Sequence, residues 1–164
     1  MKKRWRTILL VLIALVVLCS FVHPFGNVKA VRSDAALLQG AEVPPAVMST
    51  VQRSCIDCHS EQTKWPWYSH VAPMSWLVES DVSEGRKNWN MSHWSEITPD
   101  ERQDKLGGVA SMVRNRKMPL PQYLFIHRNA KLSDADVDLL YQWARTERKR
   151  VKASDTQAAA APSK

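Results

Sequence analysis

Three residues capable of binding a metal or a cofactor lie within five positions, because Cys55, Cys58 and His59 form the motif CIDCH. Cysteine sulfur and imidazole nitrogen bind metals such as zinc, and two cysteines can form a disulfide. The pattern C-x-x-C-H is also typical of c-type haem attachment. One further cysteine, Cys19, is present in the 164 residues. The rest of the sequence has to distinguish between these uses of the motif.

Zinc and redox chemistry fit the surrounding sequence poorly. Structural zinc sites usually take four side-chain ligands, commonly from two pairs, and no second C-x-x-C is present. The spacing of His70, His93 and His127 matches no common zinc finger. A disulfide oxidoreductase carries its C-x-x-C at a helix start after a strand, in a βαβ pattern that this sequence lacks. A structural disulfide would leave His59 without a role.

Haem attachment gives all three residues a role. The two thiols would form thioethers with the haem vinyl groups, and the adjacent histidine would be the proximal ligand of the iron. We therefore predict haem c as the cofactor, bound covalently through Cys55 and Cys58 and ligated by His59. A disulfide or another metal remains the alternative at this point.

A second axial ligand is predicted at Met118. It lies in RKMPLPQY, where Pro119 ends the preceding helix and Pro121 stiffens the loop. A ligand on a rigid loop can be held against the other face of the haem. A histidine ligand at His70 is the second choice, and an open position is the third. The remaining candidates are Met48, Met74, Met91, Met112, His93 and His127, of which Met112 is expected in the core.

The elements that would position these residues are helical. Strand patterns are nearly absent, whereas helical spacing of apolar residues recurs at 46–55 and 75–89. Two further helices begin at clear capping residues, Thr98 and Ser133. The fold class predicted is an all-α, small cytochrome c-like domain with long loops. Six tryptophans beyond the N-terminal one are expected to serve as cofactor walls or core.

The N-terminus has the features of an export signal. Lys and Arg occupy four of the first six positions, and an apolar run follows from residue 8 to residue 22. We predict a signal anchor or signal peptide over residues 1–30, with cleavage after Ala30 as the second choice to an uncleaved anchor. A haem-binding domain is predicted over 31–151, and a disordered tail over 152–164.

The net charge of +7 does not indicate nucleic-acid binding. Five of the 23 Lys and Arg residues lie in residues 1–30, which contain no acidic residue, so the rest of the chain is close to neutral. We expect no nucleic-acid partner. The expected partners are membrane or periplasmic redox proteins, and the cytoplasmic membrane through residues 5–25.

The segments CIDCHSEQTKWPWYSH and MPLPQY, with the H, LS and W that follow the second, resemble the bacterial haem-binding domain family of small exported or membrane-anchored proteins. The resemblance covers nearly all of residues 31–150. It implies covalent c-type haem, with Cys55, Cys58 and His59 in the attachment roles. The arrangement is also similar to small cytochromes c, in which an attachment helix, a Met-Pro loop and a C-terminal helix enclose the haem.

The function expected from these observations is one-electron transfer by a single haem at the periplasmic side of the bacterial inner membrane, or in the periplasm if the signal is cleaved. An electron carrier is favoured over an enzyme. The alternative is a peroxidase-like enzyme or a redox or gas sensor with an open axial position, for which His70, His93 and Arg114 are the available polar residues.

Overall fold

A computed structural model describes residues 2–160, which form seven α-helices joined by long loops, with no β-strand in this range. The helices are α1 (Lys2–Ser20), α2 (Pro45–Ser54), α3 (Ile56–His59), α4 (Met74–Asn88), α5 (Pro99–Arg114), α6 (Pro121–Ile126) and α7 (Asp134–Ala160). Short 3₁₀ helices lie in the loops at Trp67–His70, Met91–Glu96 and Arg128–Ala130. The predicted all-α class is confirmed.

Helices α5 and α7 pack against each other and contribute a large part of the hydrophobic core. Both begin where the capping residues predict. The Thr98 hydroxyl accepts from the Glu101 N–H and the Glu101 carboxylate accepts from the Thr98 N–H, which is a capping box. Ser133 and Asp136 form the same reciprocal pair at α7. The apolar residues at helical spacing along α5 and α7 are buried at Leu106, Ala110, Val113, Val137, Leu140 and Ala144, and partly buried at Val109 and Tyr141.

Helix α4 forms over nearly the predicted range but buries a different face. Its sequence pattern predicts burial of Trp76, Leu77, Val78 and Val82, whereas the buried residues are Ser75, Glu79, Val82 and Gly85. This narrow, polar face packs against α3 and against the segment that follows α1. Apolar periodicity alone does not reveal such a face, since its burial depends on partners distant in sequence.

The N-terminal helix predicted from the apolar run is present as α1, and its apolar side chains are exposed, with Leu18 at 65%. Over residues 2–160, no helix combines the length and the apolar content needed to cross a membrane.

The C-terminal segment differs from the prediction. Helix α7 continues to Ala160, so much of the segment predicted as a disordered tail from residue 152 is helical. The alanines and the lysine in this segment have high helix propensity. An established helix can therefore extend through them at little cost in free energy. Residues 161–164 of the predicted tail lie outside the described residues.

Candidate functional site

One cavity of about 520 Å³ brings together the four residues predicted to hold a cofactor. Cys55, Cys58 and His59 line it from the turn between α2 and α3 and from α3 itself, and Met118 lines it from the loop after α5. Helix α4 and the middle of α5 supply further walls, with Leu132 and Leu140 beneath. Its volume is in the range of about 300–1,000 Å³ typical of small-molecule and cofactor sites.

His59 is held with one ring nitrogen available. Its Nδ1 donates to the backbone carbonyl of Gly85 at 2.9 Å and lies 3.1 Å from that of Trp89. Because a carbonyl only accepts, Nδ1 carries the proton and Nε2 keeps its lone pair. Burial lowers the pKa of His59, which further favours the neutral ring. This is the tautomer that a metal-ligating histidine needs.

Gly85 allows α4 to approach α3 closely. A Cβ atom at this position would clash with the Cys58 carbonyl oxygen and would lie 2.9 Å from the carbonyl carbon and 3.0 Å from the Cys58 Cβ. The same residue supplies the carbonyl that orients His59. Any larger residue here would separate the two helices and change the orientation of the histidine.

We expect Gly85→Ala to lower the free energy of unfolding by about 2–3 kcal/mol, because the two helices would have to separate. Urea denaturation followed by circular dichroism measures this change. Gly108→Ala is the matched control, since Gly108 also lies in a helix and on the cavity wall but a Cβ there meets nothing within 4 Å. Equal stability of the two variants would show that the close approach at Gly85 is unimportant.

The two cysteines are not bonded to each other and are not poised as redox nucleophiles. Burial raises the pKa of the Cys55 thiol to about 12 and that of the Cys58 thiol to about 12. The nearby carboxylates of Asp81 and Asp57 contribute to the raised pKa of Cys58. Catalytic C-x-x-C thiols have lowered pKa values instead. These thiols therefore fit covalent attachment of a group inside the cavity better than disulfide exchange.

Only two of the eight candidates for a second axial ligand line this cavity in the described part of the chain, Met112 and Met118. His70 is exposed at the end of a 3₁₀ helix, and His93 hydrogen-bonds to Glu61 and Glu96. The expectation that Met112 is a core residue is wrong, since 41% of it is exposed. Its spacing from Lys105 and Gly108 places it on a helix face beside the core stripe, which was the missed signal.

The loop that carries Met118 is fixed at both ends. Arg116 has a left-handed backbone conformation, with φ of 56°, that turns the chain out of α5. Its guanidinium donates to the Leu132 carbonyl at 3.0 Å and pairs with Asp134 at the start of α7. Beyond the loop, the Tyr123 hydroxyl donates to Asp57 at 2.8 Å, within the CIDCH motif itself. A side chain held in this way keeps its position in the cavity.

The donor set on the cavity wall fits a haem, because it places two thiols, an imidazole nitrogen and a thioether sulfur around one cavity. Ser54 Oγ and Trp89 Nε1 belong to lining residues and have no hydrogen-bond partner within the protein, but both atoms are buried in the wall and do not face the cavity.

Three of the six tryptophans lie in the cofactor wall or the core as predicted, and Trp67 does not. Trp89 alone lines the cavity among those described, while Trp94 and Trp143 are core residues and Trp67 is 79% exposed. The segment WPWYS contributes Pro66 and Tyr68 to a smaller cavity, which Asp57 and Cys58 also line. There the Tyr68 hydroxyl and His127 Nε2 are 2.6 Å apart, and His127 stacks on Tyr123.

These features define an all-helical domain that has a cofactor cavity built on a C-x-x-C-H motif. The chain matches the model of the haem-binding domain family over residues 14–146 and belongs to that family, as its sequence motifs predict. It is a haem-binding protein. No curated protein matches the chain, and no solved structure matches it.

Proposed function

We propose that the protein carries a single haem c, bound covalently through Cys55 and Cys58, and that it transfers one electron at a time. The observation that carries this proposal is the shared cavity, in which the two thiols, His59 and Met118 all take part. His59 would be the proximal iron ligand and Met118 the distal one. Bound haem would supply the reversible one-electron redox change of its iron.

The protein's own residues would hold the cofactor and tune it. The carbonyls of Gly85 and Trp89 fix the His59 ring, and raise its basicity through the Nδ1–H hydrogen bond. Val109, Val113 and Leu140 supply apolar parts of the wall, which also carries the charged side chains of Asp81, Glu84, Asp104 and Lys105. A methionine ligand and a buried site both raise the reduction potential relative to a water-ligated, exposed iron.

The arrangement favours an electron carrier over an enzyme with an open axial position. A peroxidase-like site needs a histidine or arginine beside the open face. Within the described residues, the cavity wall holds no arginine and no histidine other than His59. Arg114, which the sequence offers for this role, is 56% exposed and pairs with Asp138 at 2.7 Å.

The proposed location is the periplasmic side of the bacterial inner membrane, with residues 5–25 in contact with the membrane and with membrane or periplasmic redox proteins as partners. The support is the basic start of the chain together with the exposed apolar side chains of α1. Confinement at a membrane would raise the effective concentration of redox partners. Recovery of the protein in the soluble periplasmic fraction without detergent would contradict the membrane contact.

Spectroscopy combined with a redox titration tests the proposed function. Protein matured with haem is expected to show a low-spin spectrum in both oxidation states and to take up one electron per chain in a potentiometric titration. Electrons should pass from the reduced protein to an added cytochrome partner without a bound substrate. A high-spin reduced spectrum that binds carbon monoxide readily would contradict a six-coordinate electron carrier.

A further inference from the structure

A buried carboxylate lies outside the cofactor cavity. Glu79 on α4 is 0% exposed, and its Oε2 has no hydrogen-bond partner. An ionised carboxylate is costly to bury unless a cation and hydrogen bonds compensate it. Glu79 takes no part in the proposed haem ligation and does not belong to the hydrophobic core. Its role therefore has to be inferred from the residues that it contacts.

Glu79 has two ionisable partners, and both come from the segment that follows α1. Lys29 Nζ lies 2.9 Å from Glu79 Oε1, and His23 Nδ1 donates to the same oxygen at 2.9 Å. Only 13% of the Lys29 side chain is exposed. The Lys29 ammonium also donates to the Ser69 carbonyl and lies 5.6 Å from the centre of the Trp65 ring. This lysine is therefore built into the domain rather than placed on its surface.

Further hydrogen bonds fix the same segment together with Ser20, the last residue of α1, and we call residues 20–31 the strap. Ser20 Oγ accepts from the Ala72 N–H at 2.9 Å, and the Trp76 indole donates to the Val22 carbonyl at 2.8 Å. Arg86 donates to the Val28 carbonyl at 2.8 Å. The strap thus contacts α4 and the residues before it along most of its length.

Arg86 connects the strap to the cofactor site. Besides Val28, its guanidinium donates to the Ser60 carbonyl at 2.8 Å, directly after His59, and to Thr63 Oγ1 at 3.1 Å. The neighbouring residue on α4 is Gly85, which contacts Cys58 and orients His59. The strap and α3 are thus joined through one turn of α4.

We propose that the strap is an integral part of the haem-binding domain, docked on Glu79, and that the mature protein keeps its N-terminal segment. Cleavage after Ala30 would remove Lys29 and His23 and so take away both partners of Glu79. The family match, which begins at residue 14, includes the whole strap. The N-terminal segment is therefore expected to be uncleaved. This inference does not depend on how haem is bound or on electron transfer.

Intact mass spectrometry tests retention directly. The full chain is produced in a bacterial host that exports and matures c-type cytochromes, and it is purified from the membrane and periplasmic fractions. The expected polypeptide mass includes residues 1–30, apart from processing of the initiator methionine. A mature chain that begins at Val31 would overturn the proposal, and so would any other cleavage between residues 20 and 31. This result does not depend on whether haem is present.

Point variants of the full chain test the docking of the strap. Lys29→Met keeps most of the side-chain volume but removes the cation, and it is expected to lower the melting temperature by about 10 °C. Lys29→Met combined with Glu79→Gln should recover at least half of that loss, because no unpaired carboxylate remains. Lys87→Met is the matched control, since it breaks an exposed pair with Glu84 on the same helix and should change the melting temperature by about 2 °C or less.

The melting temperatures and the haem content together distinguish the possible outcomes. A Lys29→Met protein as stable as Lys87→Met would show that the strap is not docked, and would overturn the proposal. A double variant no more stable than Lys29→Met would show that the effect does not come from Glu79. Haem content is measured in parallel, so a failure of haem attachment in every variant would count against the proposed function and leave this test intact.

Discussion

Cys55→Ser combined with Cys58→Ser is expected to reduce covalently bound haem from about one per chain to none. Both sulfurs lie at one cavity with His59, and only a sulfur can form the thioether to a vinyl group. Acid–acetone extraction followed by intact mass spectrometry measures the covalent fraction, because haem held only by iron ligation is extracted. The loss is expected to be complete, which makes it the largest effect predicted for this protein.

Cys19→Ser is the matched control for that experiment. Cys19 is the third cysteine of the chain, but it lies on α1 and does not line the cavity. Its replacement should leave the covalent haem content unchanged. Retention of covalent haem by the double variant would show that the motif does not attach the cofactor, and the proposal of haem c would then be wrong.

Met118→Ala is expected to abolish the weak near-infrared band of methionine–iron ligation in the oxidised protein. The reduced form should become high-spin and bind carbon monoxide, because the cavity offers no histidine near this face to replace the sulfur. The reduction potential should fall as well, since methionine ligation stabilises the reduced iron. Optical spectra of the oxidised and reduced proteins measure the first two changes.

Met112→Ala provides the comparison for this variant. Both methionines line the cavity, but Met112 lies on α5 whereas Met118 lies on the loop tied down by Arg116 and Tyr123. Met112→Ala should keep the near-infrared band and the low-spin spectrum. Loss of the band in Met112→Ala but not in Met118→Ala would assign the ligand to α5. Persistence of the band in both variants would show that neither methionine is required for ligation, and it would contradict Met118 as the single distal ligand.

The raised pKa values of the two thiols argue against disulfide exchange, which is one alternative to haem attachment. A disulfide-exchange site at Cys55 and Cys58 would need a thiolate near neutral pH, but burial raises both pKa values to about 12. A structural zinc site is disfavoured as well, because no group of three or more His, Cys, Asp or Glu side chains within the described residues could hold a metal ion. Haem differs from zinc in bringing its own four nitrogen ligands, so one histidine and one methionine complete it.

The sequence by itself determined the haem motif, the all-α class and the main helix starts. Each of these is a local property: a five-residue signature, a 3.6-residue period, or a capping residue such as Thr98. The sequence also indicated Met118 as the candidate second axial ligand, because the adjacent prolines place this methionine outside a helix. Local sequence is sufficient for these features because the interactions involved span only a few residues.

Only the tertiary structure decided which side chains share the cavity and which face of α4 is buried. The position of Met112 beside the core stripe of α5 indicates that it is not a core residue, but only the packing of the helices shows that it borders the cavity. Gly85 and Glu79 became recognisable only through partners 27 and 50 positions away, at Cys58 and Lys29. Contacts over such distances depend on how helices pack, and the periodicity of a single helix carries no record of them.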